Sequence, residues 1–149
     1  CAATPYMDEG SKACFIGITL ETSKYDIYQA LMEGTSYEIK MNFDVLQNYT
    51  DEITEIRATG GGATSDVWLQ IKADILDSEI VSLDCDEVGA AGTTALAGLA
   101  IDVFDNLENT VNMLAPKRKS FLPQKNTKSV YKTLYKKYQR LYNSVRSLI

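Results

Sequence analysis

Apolar residues along this chain recur at two different spacings, and the switches between them outline the elements. From residue 23 the recurrence is helical, with Ile27, Ala30, Leu31, Gly34, Tyr37, Met41 and Val45 on one face. Ser23 stands where an N-cap belongs. Asp26, three residues on, completes a capping box and suits the positive end of the helix dipole. The pattern predicts one long helix that fades between Asn48 and Asp51. Gly34 in its interior costs about 1 kcal/mol against Ala, which predicts close passage of another backbone there.

The spacing then shortens. Ile53 to Thr59 reads as a strand, with Ile56 and Ala58 on one face and Glu55 and Arg57 on the other. Gly60-Gly61-Gly62 closes it. A second helix is predicted from Ser65 to Leu76, and a second strand from Glu79 to Leu83. Asp84-Cys85-Asp86-Glu87 leads into a third helix reaching about Phe104. That helix is rich in small residues (Ala90, Ala91, Gly92, Ala95, Ala97, Gly98, Ala100), a composition that predicts tight packing in a core. A short helix over Asn106 to Leu114 stops at Pro116, and residues 116–123 read as a basic connector. The last helix runs from Thr127, its seam formed by Val130, Leu134, Tyr138, Leu141, Val145 and Leu148 and widened by Tyr131, Tyr135 and Tyr142. Strand, helix, strand, helix is the rhythm of a parallel α/β sheet. Two strands make a poor sheet alone. The rest is expected from Ala2 to Leu20, around Phe15 to Leu20, or from chain outside this sequence.

At 149 residues there is room for one domain with a real core. Hydrophobic residues at 45% and charged ones at 23% exclude wholesale disorder. No apolar run approaches the roughly 20 residues that span a bilayer. The sequence opens on Cys1 rather than Met, with no basic-then-apolar signal before it, which reads as a cloning or cleavage boundary rather than a natural start. Cys1, Cys14 and Cys85 include no C-x-x-C pair, which argues against a disulfide framework or zinc site and fits a reducing cytosol. The chain has no histidine. That removes Ser-His-Asp and Cys-His nucleophiles, histidine bases and histidine-ligated metals. Carboxylate chemistry, or chemistry carried by a bound nucleotide, remains.

The net charge of −5 conceals an asymmetry. No acidic residue follows Glu108, while 10 lysines and arginines do; the first 108 residues carry 5 basic and 20 acidic side chains. Such a tail suits either a nucleic-acid or membrane arm or a basic helix lying on an acidic body. The tyrosines fall at core-seam spacing, which favours the second reading.

The candidate chemistry centres on Thr59-Gly60-Gly61-Gly62-Ala63, between a strand and a helix N-terminus. Glycines there let a ligand approach the backbone, and the amides and dipole of the following helix favour anionic phosphate. The run is neither the dinucleotide fingerprint nor a P-loop, since no G-K-[ST] follows. A tight structural turn would need the same glycines. Asp84, Asp86 and Glu87 offer hard oxygens to Mg²⁺, but as a solvated N-cap region they need no metal.

Three ordered stretches extend the glycine signal. The first runs from Pro5-Tyr6-Met7-Asp8 through Gly17-Ile18-Thr19-Leu20 to Ala30-Leu31-Met32-Glu33-Gly34. The second is Ile56-Arg57-Ala58-Thr59-Gly60-Gly61-Gly62-Ala63, followed by Ser65-Asp66, Trp68, Gln70, Ala73 and Asp74. The third is Glu87-Val88-Gly89-Ala90-Ala91-Gly92, followed by Ala97-Gly98-Leu99-Ala100. Together they resemble the C-terminal region of the FGGY carbohydrate kinases, the group of xylulokinase, gluconate kinase, ribulokinase and glycerol kinase. Phe121, Pro123 and the Tyr131 to Tyr142 segment resemble that family's last helix.

The resemblance implies an α/β, actin-like ATPase (ribonuclease H-like) fold. Residues 1–149 would be the C-terminal portion of its second, nucleotide-binding lobe, a short and mostly parallel sheet flanked by long helices. It also implies an ATP-dependent transfer of the γ-phosphoryl group to a carbohydrate hydroxyl, with Mg²⁺ entering with the nucleotide. Gly60, Gly61, Gly62 and Ala63 would meet the nucleotide, and Asp66 would reach toward the adenine. Some relatives carry Asn at the position of Asp66. No catalytic residue is assigned, because the family's aspartate base belongs to an N-terminal, sugar-binding lobe that no part of this chain resembles. The expected partners are ATP or ADP and a sugar or polyol, with a homodimer as a compatible assembly and neither nucleic acid nor membrane among them. The expected compartment is cytoplasmic. A non-catalytic regulator or inactive kinase homologue on the same fold is the alternative function, and a nucleic-acid module built on the basic tail is the more distant one.

Overall fold

The computed structural model describes residues 6–50, 53 and 55–148. In chain order the elements are α1 (Lys24–Leu46), β1 (Ile56–Ala58), α2 (Asp66–Leu76), β2 (Ile80–Leu83), α3 (Val88–Ala100), α4 (Leu107–Leu114), β3 (Lys117–Phe121) and α5 (Lys128–Val145). Short 3-10 turns span Gly61–Ala63 and Arg146–Leu148. The chain divides into two compact units. One comprises Cys1–Ile53, Asp74–Asp77 and Pro123–Ile149, the other Thr54–Ala73 and Ser78–Leu122.

The first unit holds α1 and α5. The predicted capping box is present: the Asp26 N–H donates to Ser23 Oγ at 3.3 Å, and the Ser23 N–H donates to Asp26 Oδ2 at 2.8 Å. The helix ends at Leu46, just short of the expected fade. Tyr37 and Phe43 are its buried apolar residues, whereas Leu31 and Val45 are exposed. Among the described residues the backbone expected beside Gly34 is not there, since a Cβ at that position would meet nothing within 4 Å. Along α5 the seam is half-buried in the middle (Leu134, Tyr138, Leu141, Val145), but Val130 and Leu148 at its ends are exposed.

What joins these helices is a set of phenols on carboxylates. The Tyr37 ring lies 5.3 to 6.5 Å, centroid to centroid, from those of Tyr131, Tyr135 and Tyr138. Tyr131 donates to Glu33 Oε1 at 3.3 Å, Tyr135 to Asp44 Oδ2 at 2.6 Å, and Tyr138 to Glu38 Oε2 at 2.8 Å. Tyr142 donates to Asp8 Oδ2 at 2.6 Å and stacks on Tyr6 at 3.8 Å. Bonds to ionised acceptors are roughly twice as strong as neutral ones. Burial, reinforced by the neighbouring Glu33 carboxylate, pushes the Tyr131 hydroxyl up to about 12. Tyr135 and Tyr138 shift the same way, burial first and their carboxylates second. The Tyr142 bond holds Asp8 below the usual carboxylate value. The basic tail thus meets acidic chain mainly through tyrosine hydroxyls, and Lys128–Asp77 at 2.6 Å adds an ion pair.

The second unit is built on a three-stranded sheet in the order β1-β2-β3. β1 and β2 are parallel, with Ile56 opposite Ile80 and Ala58 opposite Ser82. β3 is antiparallel to β2, with Ile80 opposite Phe121 and Ser82 opposite Lys119, and an irregularity falls between Ser82 and Leu83. The sheet is therefore mixed rather than mostly parallel. Its third strand is the segment read as a basic connector, and no strand forms over residues 15–20. Lys117-Arg118-Lys119-Ser120 buries nothing before Phe121, so no apolar alternation announces a strand. Lysines are what an edge strand carries to repel further pairing.

Behind the sheet, Leu69 and Ala73 of α2 pack with Ile80 and Phe121, and Ile56, Ala58 and Ala63 close over them. Complete burial of Leu69 stabilises by about 1.5–3 kcal/mol. The Gln70 side-chain amide donates to the Leu122 carbonyl at 2.9 Å and fastens α2 to the end of β3. α3 stops at Ala100, before the expected Phe104. Among its small residues only Ala95 and Gly98 are buried, so close packing is confined to one stripe. At Gly98 the Phe104 ring occupies the space that a Cβ would need. α4 begins as predicted, with Asn106 Oδ1 accepting from the Asn109 N–H at 3.0 Å.

Candidate functional site

The glycine run forms the crossing from β1 to α2. Gly60 has φ +76° and ψ −174°, a backbone region that is essentially open to glycine alone. It turns the chain out of the strand and into the 3-10 turn. There the Ala63 N–H donates to the Gly60 carbonyl at 2.9 Å and the Thr64 N–H to the Gly61 carbonyl at 3.3 Å. Ser65 Oγ then accepts from the Trp68 N–H at 3.3 Å and starts the 11-residue α2. The carbonyls of the turn are thereby used. The N–H groups of Gly61 and Gly62 meet no acceptor among the described residues. Gly60 and Gly61 are exposed and Gly62 is half-buried, so the bend is open rather than sealed.

The glycines play different parts. A Cβ on Gly61 would meet nothing within 4 Å, so that side of the bend is free for a ligand. A Cβ on Gly62 would lie 3.2 Å from the Trp68 ring and 3.4 Å from Lys72 Nζ, so a larger residue here would crowd the Trp68 ring. Ala63 turns its methyl toward the core and contributes at most its main chain. Two unaccepted amides beside a helix N-terminus suit the oxygens of a phosphate.

Asp66 sits in the first turn of α2, and its Oδ2 lies 2.5 Å from Lys119 Nζ, with both side chains exposed. Glu55, preceding β1, pairs with Arg57 at 2.8 Å and also with Lys117; the lysine first, then the arginine, holds its carboxyl low. β3 thus places lysines beside β1 and beside the bend. Lys72 packs its ammonium over the Trp68 ring, 4.4 Å from the centroid and 3.5 Å from the Gly62 carbonyl. Burial lowers its pKa below the ordinary lysine value. No sequence motif marks Lys119 or Lys72. For Lys72 the available signal is the W-x-x-x-K spacing from Trp68, one helical turn apart on one face.

Elsewhere the candidates are sparse. Among the described residues no group of three or more acidic or cysteine side chains could hold a metal ion, Asp84, Asp86 and Glu87 included. Cys14 is exposed and Cys85 half-buried, both free thiols; Cys1 lies outside the described residues. A groove of about 810 Å³ lined by Phe15, Ala30, Gly34, Tyr37 and Tyr138 belongs to the helical unit and not to the bend. What the bend itself offers a ligand is backbone geometry. No described helix is long and apolar enough to cross a membrane.

With this geometry in place, similar proteins are informative. The curated relatives include a xylulose kinase of Staphylococcus epidermidis, 29% identical over 97% of this chain and 29% of that protein. Among solved structures, ligand-bound xylulose kinase of Lactobacillus acidophilus superposes with a TM-score of 0.86 at 24% identity, over 96% of this chain and 29% of that one. Plasmodium falciparum glycerol kinase with ADP superposes with a TM-score of 0.81 at 24% identity, over 99% and 29%. The chain thus spans about 29% of the length of the curated xylulose kinases it matches. Its fold is the actin-like ATPase fold of these kinases. Residues 2–101 match the C-terminal domain of the FGGY family of carbohydrate kinases, and the chain belongs to that family.

Proposed function

We propose that this chain is the nucleotide-binding part of an ATP-dependent sugar or polyol kinase, with the bend Gly60-Gly61-Gly62-Ala63 as its phosphate contact. The observation that carries this reading is the pair of amides at Gly61 and Gly62 that meet no acceptor among the described residues, with free space where a Gly61 Cβ would stand. The ADP named with the P. falciparum structure supports it. Asp66, at the start of α2, exchanges its Lys119 partner for the adenine when nucleotide binds. The residues at the bend fit the nucleotide, because main-chain N–H groups and a helix N-terminus pair with anionic oxygens and not with a cation. Mg²⁺ arrives on the phosphates, as it usually does, and would supply charge neutralisation there.

In such a kinase the protein positions the γ-phosphoryl group and stabilises its charge, while a carboxylate orients or deprotonates the attacking hydroxyl. This chain contributes to the positioning, by fixing one end of the polyphosphate against the bend. The carboxylate is assigned to an N-terminal, sugar-binding lobe of the relatives' kind, so this chain alone transfers no phosphoryl group. We further propose a cytoplasmic protein, compatible with homodimer formation and free of nucleic acid and membrane. The pairing of Lys117, Lys119, Lys128 and Arg146 with Glu55, Asp66, Asp77 and Asp8 supports that reading of the basic tail.

The test is a titration of ADP into the chain, followed by an ADP-release assay with ATP, Mg²⁺ and either xylulose or glycerol. Saturable ADP binding without turnover is expected. Absence of binding would sink the proposal, and turnover would show that a base lies within these residues.

A further inference from the structure

Among the described residues, Lys72 is an ammonium without a counter-charge. No described carboxylate lies within ion-pair distance of it. Its contacts are a long 3.5 Å approach to the Gly62 carbonyl and the face of Trp68. The side chain is half-buried, and burial alone is what lowers its pKa. A cation partly removed from water is ordinarily paired. The other described ammonium groups around this bend, Lys117 and Lys119, are paired with Glu55 and Asp66. Of these three described lysines, the one that lacks an acidic partner stands at Gly62, 3.5 Å from its carbonyl, and Gly62 carries one of the two unaccepted amides. One of its three N–H donors covers the carbonyl, which leaves others for an anion.

Resting on the nucleotide reading above, we propose that Lys72 is a further binding residue of the bend, its ammonium neutralising a phosphoryl group seated on the Gly61 and Gly62 amides. Trp68 holds the ammonium by cation–π contact, and the ammonium stands 3.4 Å from where a Gly62 Cβ would be. Lys72 therefore recognises the polyphosphate and not the nucleoside.

The distinguishing experiment compares ADP and adenosine on wild type, Lys72→Met and Lys72→Arg, each checked for an unchanged melting temperature. Met keeps an apolar stem over Trp68; if it lowers the melting temperature, Lys72→Gln takes its place. The expected result is roughly tenfold weaker ADP binding in the uncharged variant, unchanged adenosine binding, and recovery of most ADP affinity in Lys72→Arg. Unchanged ADP affinity in the uncharged variant would overturn the inference. So would an equal loss for ADP and adenosine, which marks a structural role. A wild-type chain that binds no ADP would instead overturn the reading of the bend itself, and this inference with it.

Discussion

The glycine bend and the α1–α5 helix pair solve opposite problems in one chain. At the bend, side chains are withdrawn: Gly60 adopts a backbone that other residues avoid, Gly61 leaves open space, and what is exposed is main chain. Between the helices, side chains do nearly everything. Four tyrosine hydroxyls on four carboxylates tie α5 to α1 and to the segment before it, around a buried Tyr37 ring. The lesson is that charge is handled differently where a ligand is expected and where none is. In the helical unit each of these four phenols has found its acid, whereas the bend keeps donors and one lysine without an anion among the described residues.

Breaking the support of the bend gives the largest expected effect. Leu69→Ala removes the centre of the cluster behind it and should lower stability by about 3 kcal/mol, read as a shift in the urea midpoint. Val130→Ala, at an exposed seam position of α5, should change it by less than about 0.5 kcal/mol. Equal losses would mean that the core has been misplaced.

The helix pair offers the next test. Tyr138→Phe leaves the Glu38 carboxylate without its phenol donor, and Glu38 Oε1 is already buried without a partner among the described residues. A loss of about 1–2 kcal/mol is expected. If Phe is neutral, the phenol–carboxylate bonds are ornaments of the packing and not its support.

The smallest effect concerns pH. Tyr131 is neutral when folded, and its pKa is raised to about 12. Its contribution is complete below the free tyrosine value of about 10 and is lost as pH rises through about 12. Tyrosinate absorbance should therefore lag free tyrosine and then rise together with the loss of helix. Phenols that titrate at the free value with the helices intact would contradict the ladder.

Much of this is legible in the sequence, for reasons that differ by residue. The capping box at Ser23 and Asp26 is local chemistry and appears where the pattern places it. The order β1, glycine run, α2, β2 follows from spacing and from the need for φ > 0 at Gly60. β3 is hidden because Lys117 to Ser120 face solvent, so pairing with β2 is fixed by main-chain bonds that leave no apolar trace. Gly34 misleads because a missing side chain does not say what fills its place; here nothing among the described residues does. The tyrosine seam of α5 is visible as apolar spacing, but the hydroxyl partners lie about a hundred residues away in sequence and need the fold. Within the bend, sequence marks Gly62 as ligand-facing, and structure adds the Trp68 ring at 3.2 Å from its would-be Cβ. Loss of binding in a Gly62 variant would therefore mix packing with recognition.

Gly61 separates the two. Its φ lies outside the left-handed range and no atom stands within 4 Å of an added Cβ, so Gly61→Val should fold and melt as the wild type does. Calorimetric titration of ADP into both proteins then reads the bend directly. The main-chain account predicts at least roughly tenfold weaker binding in the variant, about 1.4 kcal/mol, at an unchanged melting temperature. Equal affinity in the two proteins would show that the phosphates of ADP are held elsewhere.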